Sequence, residues 1–429
     1  MSACAQDEAA SVCLQGEATS STDARPRMLI GVTSDQTCVV LRGRLRALME
    51  AGFDVIVVSS PGHWLTSVAE TEGVSVVPIP MRRAVSPWRD AIAFFRLCRL
   101  IARLRPEITD FSTPKCGLLG TIAAWLMRVP RRVYTLRGLR LESSHGLERW
   151  VLWWAERISC WCSNVVLCNS LSLKDAAIVC GIAPAEKLVV LGRGSTSGVD
   201  TERFSPGESD VRKQFGIPVD TPVVGFVGRI TGHKGIPELM EAFHEVQRRR
   251  PGCWLLLTGW FDRSEDALDE RLRREIESHP RVLVTGSVDD PPPYYRAMDV
   301  FVLPTHREGF PNAALEAAAC GLPVITTCAT GARNAVIDGE TGYLIPVRSS
   351  AAIAEAILRL ISDEGLRKKL GRGARAWAVE HYERRNVLKR VVGFYRLLLT
   401  PEWKIEMEGM RVRATSANPA DFGEVGDVG

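Results

Sequence analysis

The sequence predicts an α/β protein built from two Rossmann-like domains with a cleft between them, on three observations. The chain has 429 residues, more than one hydrophobic core usually serves and enough for two domains of roughly 150–200 residues. Short apolar runs alternate with helical segments in two successive series, the rhythm of parallel strands joined by crossover helices. A polar stretch around residues 195–220 separates the two series.

The first series starts at Arg27. MLIGVTS reads as a buried strand, VVLRGRLRALMEAG as a helix closing on Gly52, and FDVIVVSS and VSVVPIP as the next strands. SPWRDAIAFFRLCRLIARLRP reads as a helix, EITDFST as a strand, LLGTIAAWLMRVP as a helix and RRVYTLRG as a strand. The second series opens with the strand TPVVGFVGRI. The helix GIPELMEAFHEVQRRRPG follows, with Pro in its first turn and Gly252 after its end. CWLLLTGW, RVLVTGSV, DVFVLPT and LPVITT read as four further buried strands. The expected division is a disordered leader over 1–25, domains over 26–199 and 200–380, a closing helix over 381–400 and a polar tail over 401–429.

Composition narrows the classes. With 46% hydrophobic and 24% charged residues the chain has a soluble, globular make-up. No apolar run reaches the roughly 18 residues a spanning helix needs, and the first residues lack the apolar core of a signal peptide. The 12 cysteines form no CxxC, and no His pair complements the lone Cys160/Cys162 spacing. They read as small buried residues of a reducing, cytoplasmic compartment, and no metal is expected. The net charge of +4 names no partner, but Met81–Arg140 holds 13 Lys or Arg against 3 Asp or Glu. Such a surface attracts phosphates, whether on nucleic acid, anionic lipid or a substrate.

Two constellations carry chemistry. GRITGHKG, Gly228–Gly235, lies between a predicted strand and a predicted helix, at the strand end where open α/β sheets bind ligands. Gly228 allows a close turn, and Arg229, Lys234 and the amides of a helix start suit a diphosphate. The loop matches neither a Walker A nor a GxGxxG pattern, and taken alone a surface loop with two solvated cations fits equally well. In HREGFPNAALEAAACGLPVITT, Glu308 follows the strand DVFVLPT and Glu316 lies inside a helix beginning near Asn312. Carboxylates accept hydrogen bonds from the hydroxyls of a pyranose or a ribose, and the Gly309–Asn312 turn brings backbone amides to the same place. The plainer alternative is a carboxylate at a helix start plus one buried, structurally paired glutamate.

Together, GRITGHKG and Glu308-x7-Glu316 resemble the donor-site signature of glycosyltransferase family 4, retaining enzymes of the GT-B fold, and the resemblance spans roughly Arg27 to Leu399. TDFSTPKCGLLGTIAAWLMRVPRRVYTLRGLR, NSLSL, GSTSGVDTERFSP and TGARNAVIDGETGYLIP are similar to its bacterial capsular and lipid-linked oligosaccharide branch. The resemblance implies a UDP- or other nucleotide-activated sugar as co-substrate in the second domain and an acceptor on the first, with the closing helix packed back on the first. It implies Arg229 and Lys234 on the diphosphate and Glu308 on a sugar hydroxyl. Gly309, Phe310, Pro311 and Asn312 would lie against sugar and phosphate, Glu316 on the ribose, Val288 beside the base and Gly331 near the sugar–phosphate loop. In two places the chain departs from the family pattern. Arg137 stands where many members have His, with His145 nearby, and Thr33–Thr37 replaces a frequent paired-Gly loop.

The implied reaction is transfer with retention, by same-face attack in which the leaving phosphate takes the acceptor's proton. Arg229 and Lys234 would do the work of a metal, and no Asp-x-Asp occurs. On the resemblance, the first choice of sugar is an N-acetylhexosamine, moved to a glycan or a polyprenyl- or other lipid-linked saccharide. Asp110 and Lys115 are expected in the loop after the fourth strand, where Asp110 equally suits a turn cap. Lys115, Arg82 and Arg83 are candidates for acceptor phosphates. Arg89, Arg96, Arg99, Arg103 and Arg105, with Trp150–Trp154 and Trp161, suit the surface of an anionic membrane, or else a helix face with solvated arginines. The rival readings are a GT-B-fold UDP-sugar epimerase and a basic polyanion-binding protein without catalysis. No nucleic-acid-binding signature supports a nucleic acid partner.

Overall fold

The computed structural model describes residues 25–82, 86–262 and 266–405. Most of the expected leader, most of the expected tail, and Arg83 lie outside them. The first sheet holds β1 (Arg27–Gly31), β2 (Asp54–Ser59), β3 (Ser75–Pro78), β4 (Ile108–Ser112), β5 (Arg131–Leu136), β6 (Val165–Cys168) and β7 (Leu188–Val190). The second holds β8 (Val223–Val227), β9 (Trp254–Thr258), β10 (Val282–Gly286), β11 (Val300–Leu303), β12 (Val324–Thr327) and β13 (Gly342–Ile345). Their orders are β3-β2-β1-β4-β5-β6-β7 and β10-β9-β8-β11-β12-β13, with parallel neighbours such as β1 with β4 and β8 with β11. Both are Rossmann-like, each reversing direction once. Central strands such as β4 and β11 are buried along their whole length because helices cover both faces of a parallel sheet. β10 sits at the edge and is only half-buried.

The first domain carries α1 (Arg44–Glu50), α2 (His63–Glu72), α3 (Pro87–Leu104), α4 (Pro114–Leu126), α5 (Gly146–Cys162) and α6 (Leu171–Val179). The second carries α7 (Val211–Gln214), α8 (Ile236–Arg249), α9 (Glu270–Ser278), α10 (Pro292–Arg296), α11 (Asn312–Ala319), α12 (Ser350–Ser362) and α13 (Glu364–Tyr382), and α14 (Arg384–Leu399) follows. The helix expected over 39–52 is a 3-10 turn, Asp35–Leu41, followed by α1. The long closing helix is two helices, broken at Glu383, whose carboxylate accepts from the Arg385 amide at 2.8 Å.

α14 returns to the first domain. Val391, Phe394, Tyr395 and Leu398 join the core that holds Met28 and Leu45. Trp403, read as part of a polar tail, is buried in the same core, and the Arg131 guanidinium lies 5.1 Å from its ring centre. A buried polar knot secures the crossing. Asp110 accepts from Arg44, from the Tyr395 hydroxyl at 2.7 Å and from the Thr135 hydroxyl at 2.6 Å. Asp110 therefore lies within β4 rather than in the loop after it, and caps no turn. Its side chain points to the sheet face covered by α14, where a buried carboxylate is tolerated because cationic and hydroxyl donors meet it.

Candidate active site

The second sheet reverses order between β8 and β11, so the loops leaving those adjacent strands flank one crevice. This topology brings GRITGHKG and HREGF together. Lys234 and Glu308 form an ion pair with both side chains largely shielded. Arg229 is held by Asp262 at 2.5 Å. Gly228 follows β8, its amide donating to Thr258 at 2.9 Å. His233 sits among these cations, and burial, then Lys234 and Arg307, push its pKa down to about 4, so its imidazole is neutral at physiological pH.

α11 begins at Asn312 with Pro311 as its cap residue, and its first-turn amides open toward the same crevice. Phe310 turns inward against Tyr382, ring centres 5.2 Å apart, so its backbone rather than its side chain faces the site. One turn into α11, Glu316 accepts from the Tyr295 hydroxyl at 2.7 Å through Oε2, and its Oε1 takes no hydrogen bond from the described residues. Burial raises its pKa, against the pull of Tyr295, Arg384 and Arg203. Val288 follows the edge strand β10, half-buried, on the β8 side of the crevice.

Across the cleft the first domain touches this site through the Arg137 backbone and the Ser172 and Glu142 side chains. A side chain on Gly309 would run into the Arg137 carbonyl, and one on Gly331 (φ +77°) would sit 2.5 Å from the Glu308 carbonyl oxygen. Only glycine permits this stacking of the 137, 309 and 331 segments. Ser172 donates to Asn334 at 2.5 Å and accepts from the Gly331 amide at 2.8 Å, and Thr330 donates to Glu142 at 2.6 Å. The Arg137 side chain turns into its own domain and donates to Ser112 at 3.1 Å. Burial, then the charge of Arg44, lowers its pKa to about 10, so it stays cationic at neutral pH.

The other first-domain candidates fare differently. Lys115 is paired with Asp90 at 2.8 Å, because the first turns of α3 and α4 lie side by side. His145 is an exposed residue just before α5, and the described residues bring it to none of the groups above. Thr33 bonds to the Thr113 hydroxyl at 2.7 Å, closing the loop that replaces the paired glycines. Sequence reasoning missed Asp262 and Tyr295, which steady Arg229 and Glu316 from 33 and 21 residues away and leave no local signal. It also missed Arg307, whose neighbour Glu308 was the available clue. Arg307 is half-buried with its Nε unpartnered among the described residues, and burial lowers its pKa.

A family model described as "Glycosyl transferase 4-like domain" matches residues 39–194, and one described as "Glycosyl transferases group 1" matches residues 208–377. The capsular polysaccharide biosynthesis glycosyltransferase CapM of Staphylococcus aureus is 36% identical over 369 residues, 86% of this chain and 96% of its own length. An Escherichia coli UDP-Gal:alpha-D-GlcNAc-diphosphoundecaprenol alpha-1,3-galactosyltransferase is 27% identical over 79% of this chain and 87% of its own. The crystal structure of Anabaena HepE with UDP and glucose superposes with a TM-score of 0.71 at 20% identity, covering 86% of this chain and 99% of that one. This likeness shows the shared two-domain fold. With both domains matched and a full-length relative at that identity, the chain belongs to glycosyltransferase family 4 and is a GT-B-fold sugar transferase, not the isomerase or the non-catalytic polyanion binder weighed from sequence.

Proposed function

We propose that the protein is a retaining, metal-independent hexosyltransferase that moves a sugar, N-acetylhexosamine first, from a UDP-sugar to a glycan or lipid-linked saccharide in polysaccharide, glycolipid or glycosylated natural-product biosynthesis. The observation that carries this reading is the pairing of Lys234 with Glu308 at the second switch point, across 74 residues of sequence. Cations and helix amides suit the diphosphate, and the carboxylates of Glu308 and Glu316 suit the hydroxyls of sugar and ribose. The printed names of two relatives, one a capsular polysaccharide enzyme and one acting from UDP-Gal on a diphosphoundecaprenol saccharide, support such a donor and a lipid-diphosphate acceptor. A cytoplasmic setting fits a chain whose ten described cysteines are all free. A lipid-linked acceptor would place the work at the inner face of the cytoplasmic membrane.

As the anomeric C–O bond breaks, its electron pair goes to the β-phosphate oxygen, where Arg229 and Lys234 stabilise the charge as it develops. Asp262 steadies Arg229 so that little reorganisation is needed. The acceptor hydroxyl attacks the same face, and its proton passes to the departing phosphate. The test is to incubate the protein with UDP-sugars and a lipid-diphosphate saccharide, with and without EDTA, and assign the product anomer by NMR. The reading expects a retained anomer and undiminished rate in EDTA. An inverted anomer, or loss of rate that a divalent cation restores, overturns it.

A further inference from the structure

α5 is apolar on both sides. Its inward side packs Leu152, Trp153 and Cys160 in the core beside Glu156, only 4% exposed, and Ser159. Glu156 accepts from the buried Tyr134 hydroxyl at 2.7 Å. Its outward side carries Leu147, Trp150, Trp154, Ile158 and Trp161, three to four residues apart on one stripe, with Leu147 76% and Trp161 63% exposed. An ordinary surface helix turns charged and polar residues to that outward side. The stripe continues onto its neighbours. Trp161 packs on Trp125 at the end of α4, ring centres 5.2 Å apart, and Trp125, Leu126 and Met127 are all exposed. Beyond α4, α3 buries Ala93, Leu97 and Ile101 on the sheet and turns Trp88, Ile92 and Phe95 outward, Trp88 being 83% exposed. So many exposed large apolar side chains on three adjacent helices exceed what a monomer ordinarily leaves in water.

The charge on this face selects the occupant. Arg89, Arg96, Arg99 and Arg103 line the exposed side of α3 beside the aromatic stripe. The acids in the first turns of α3 and α5, Asp90 and Glu148, are each engaged by a cation of the same domain, Lys115 and Arg140. A second copy of the chain would bring arginine against arginine, whereas anionic headgroups complement the face, and tryptophan with arginine is the combination that seats at a bilayer interface. Among the described residues no helix is long and apolar enough to cross a membrane, so the face would lie on the lipid rather than span it.

We propose that the α3–α4–α5 face of the first domain docks on an anionic bilayer, with its tryptophans in the headgroup layer and the α3 arginines on lipid phosphates. The N-terminal end of α5 lies at the cleft, since Glu142, four residues before α5, meets Thr330 of the second domain. Docking would therefore hold the acceptor side of the cleft at the lipid surface. The lipid-linked acceptor proposed above gives this docking its purpose, and docking is tested without any acceptor.

The experiment is vesicle co-sedimentation of the full chain, run beside hydrolysis of UDP-N-acetylglucosamine in the absence of lipid. The protein is expected to sediment with vesicles of equal parts phosphatidylcholine and phosphatidylglycerol and not with phosphatidylcholine alone. Trp150→Ser combined with Trp161→Ser should lower partitioning about tenfold or more. Each of Arg96→Gln and Arg99→Gln should lower it on the order of fivefold, with UDP-sugar hydrolysis unchanged in all of them. Failure of the wild type to sediment with anionic vesicles, or equal binding by the double tryptophan variant, overturns the proposal. So does a dimer in sedimentation equilibrium that the double variant dissolves, which would make the face a contact between copies. Vesicle binding without hydrolysis of UDP-N-acetylglucosamine leaves docking standing and removes the UDP-N-acetylglucosamine donor choice instead.

Discussion

At the switch point of the second sheet, the loops after β8 and β11 gather Arg229, Lys234 and Glu308. At the same point of the first sheet, the loops after β1 and β4 gather Thr33 and Thr113, bonded hydroxyl to hydroxyl at 2.7 Å. Nearby, the Asp35 carboxylate accepts from the Trp64 amide in the first turn of α2 at 3.4 Å, and Lys115 in the first turn of α4 is held by Asp90. One strand order thus serves two purposes. The second crevice gathers two cations suited to a diphosphate, each paired with a carboxylate. The first is bridged by two threonine hydroxyls, and beneath it Asp110 ties the sheet to α14. The topology supplies the place, and the residue types at the strand ends decide what it binds.

The comparison breaks hardest at Asp110. Asp110→Ala leaves the fully buried Arg44 without its carboxylate and should cost about 3–5 kcal/mol, read by urea denaturation. A loss under ~1 kcal/mol would mean that the knot does not hold α14. In the second crevice, Glu308→Ala should lower kcat about 10²–10³-fold, measured as product formed at saturating donor. Unchanged kcat would remove Glu308 from the chemistry. Gly309→Ala tests the seam between the two: its new methyl meets the Arg137 carbonyl, the domains no longer close, and kcat should fall about 100-fold while UDP still binds.

The smallest expected effect concerns pH. Burial pushes the Glu156 carboxyl up to about 7, so the folded state holds this proton more tightly than the unfolded chain does. The stability this gives is full at low pH and is lost as pH rises from the unfolded carboxylate range through about 7. Glu156→Gln, which cannot ionise and still offers Tyr134 an acceptor, should be about 2 kcal/mol more stable than wild type near about pH 8 and equal to it near about pH 4. Parallel pH profiles for the two proteins would contradict this.

The second crevice was legible because its parts follow wholly apolar strands: Gly228–Gly235 follows VVGFV, and Glu308 follows VFVL. β6, β7 and β13 were not, being specified by pairing with their neighbours rather than by their own pattern. Asp110 was misplaced for a similar reason. Its partner Tyr395 is 285 residues away, and a polar residue inside an apolar run otherwise signals the end of a strand. Lys115 read as a free cation because nothing in the sequence says that the starts of α3 and α4 touch. The Trp-rich stretch of α5 showed its composition but not its polarity, since the buried partner of Glu156 is on β5.

Titration calorimetry of UDP against the wild type and Lys234→Ala tests the central contrast most directly. A cationic second crevice predicts one UDP site in the wild type, weakened about 10- to 100-fold by the loss of one charged hydrogen-bond donor to phosphate. Equal UDP affinity in the two proteins, or no UDP binding by the wild type, would contradict it.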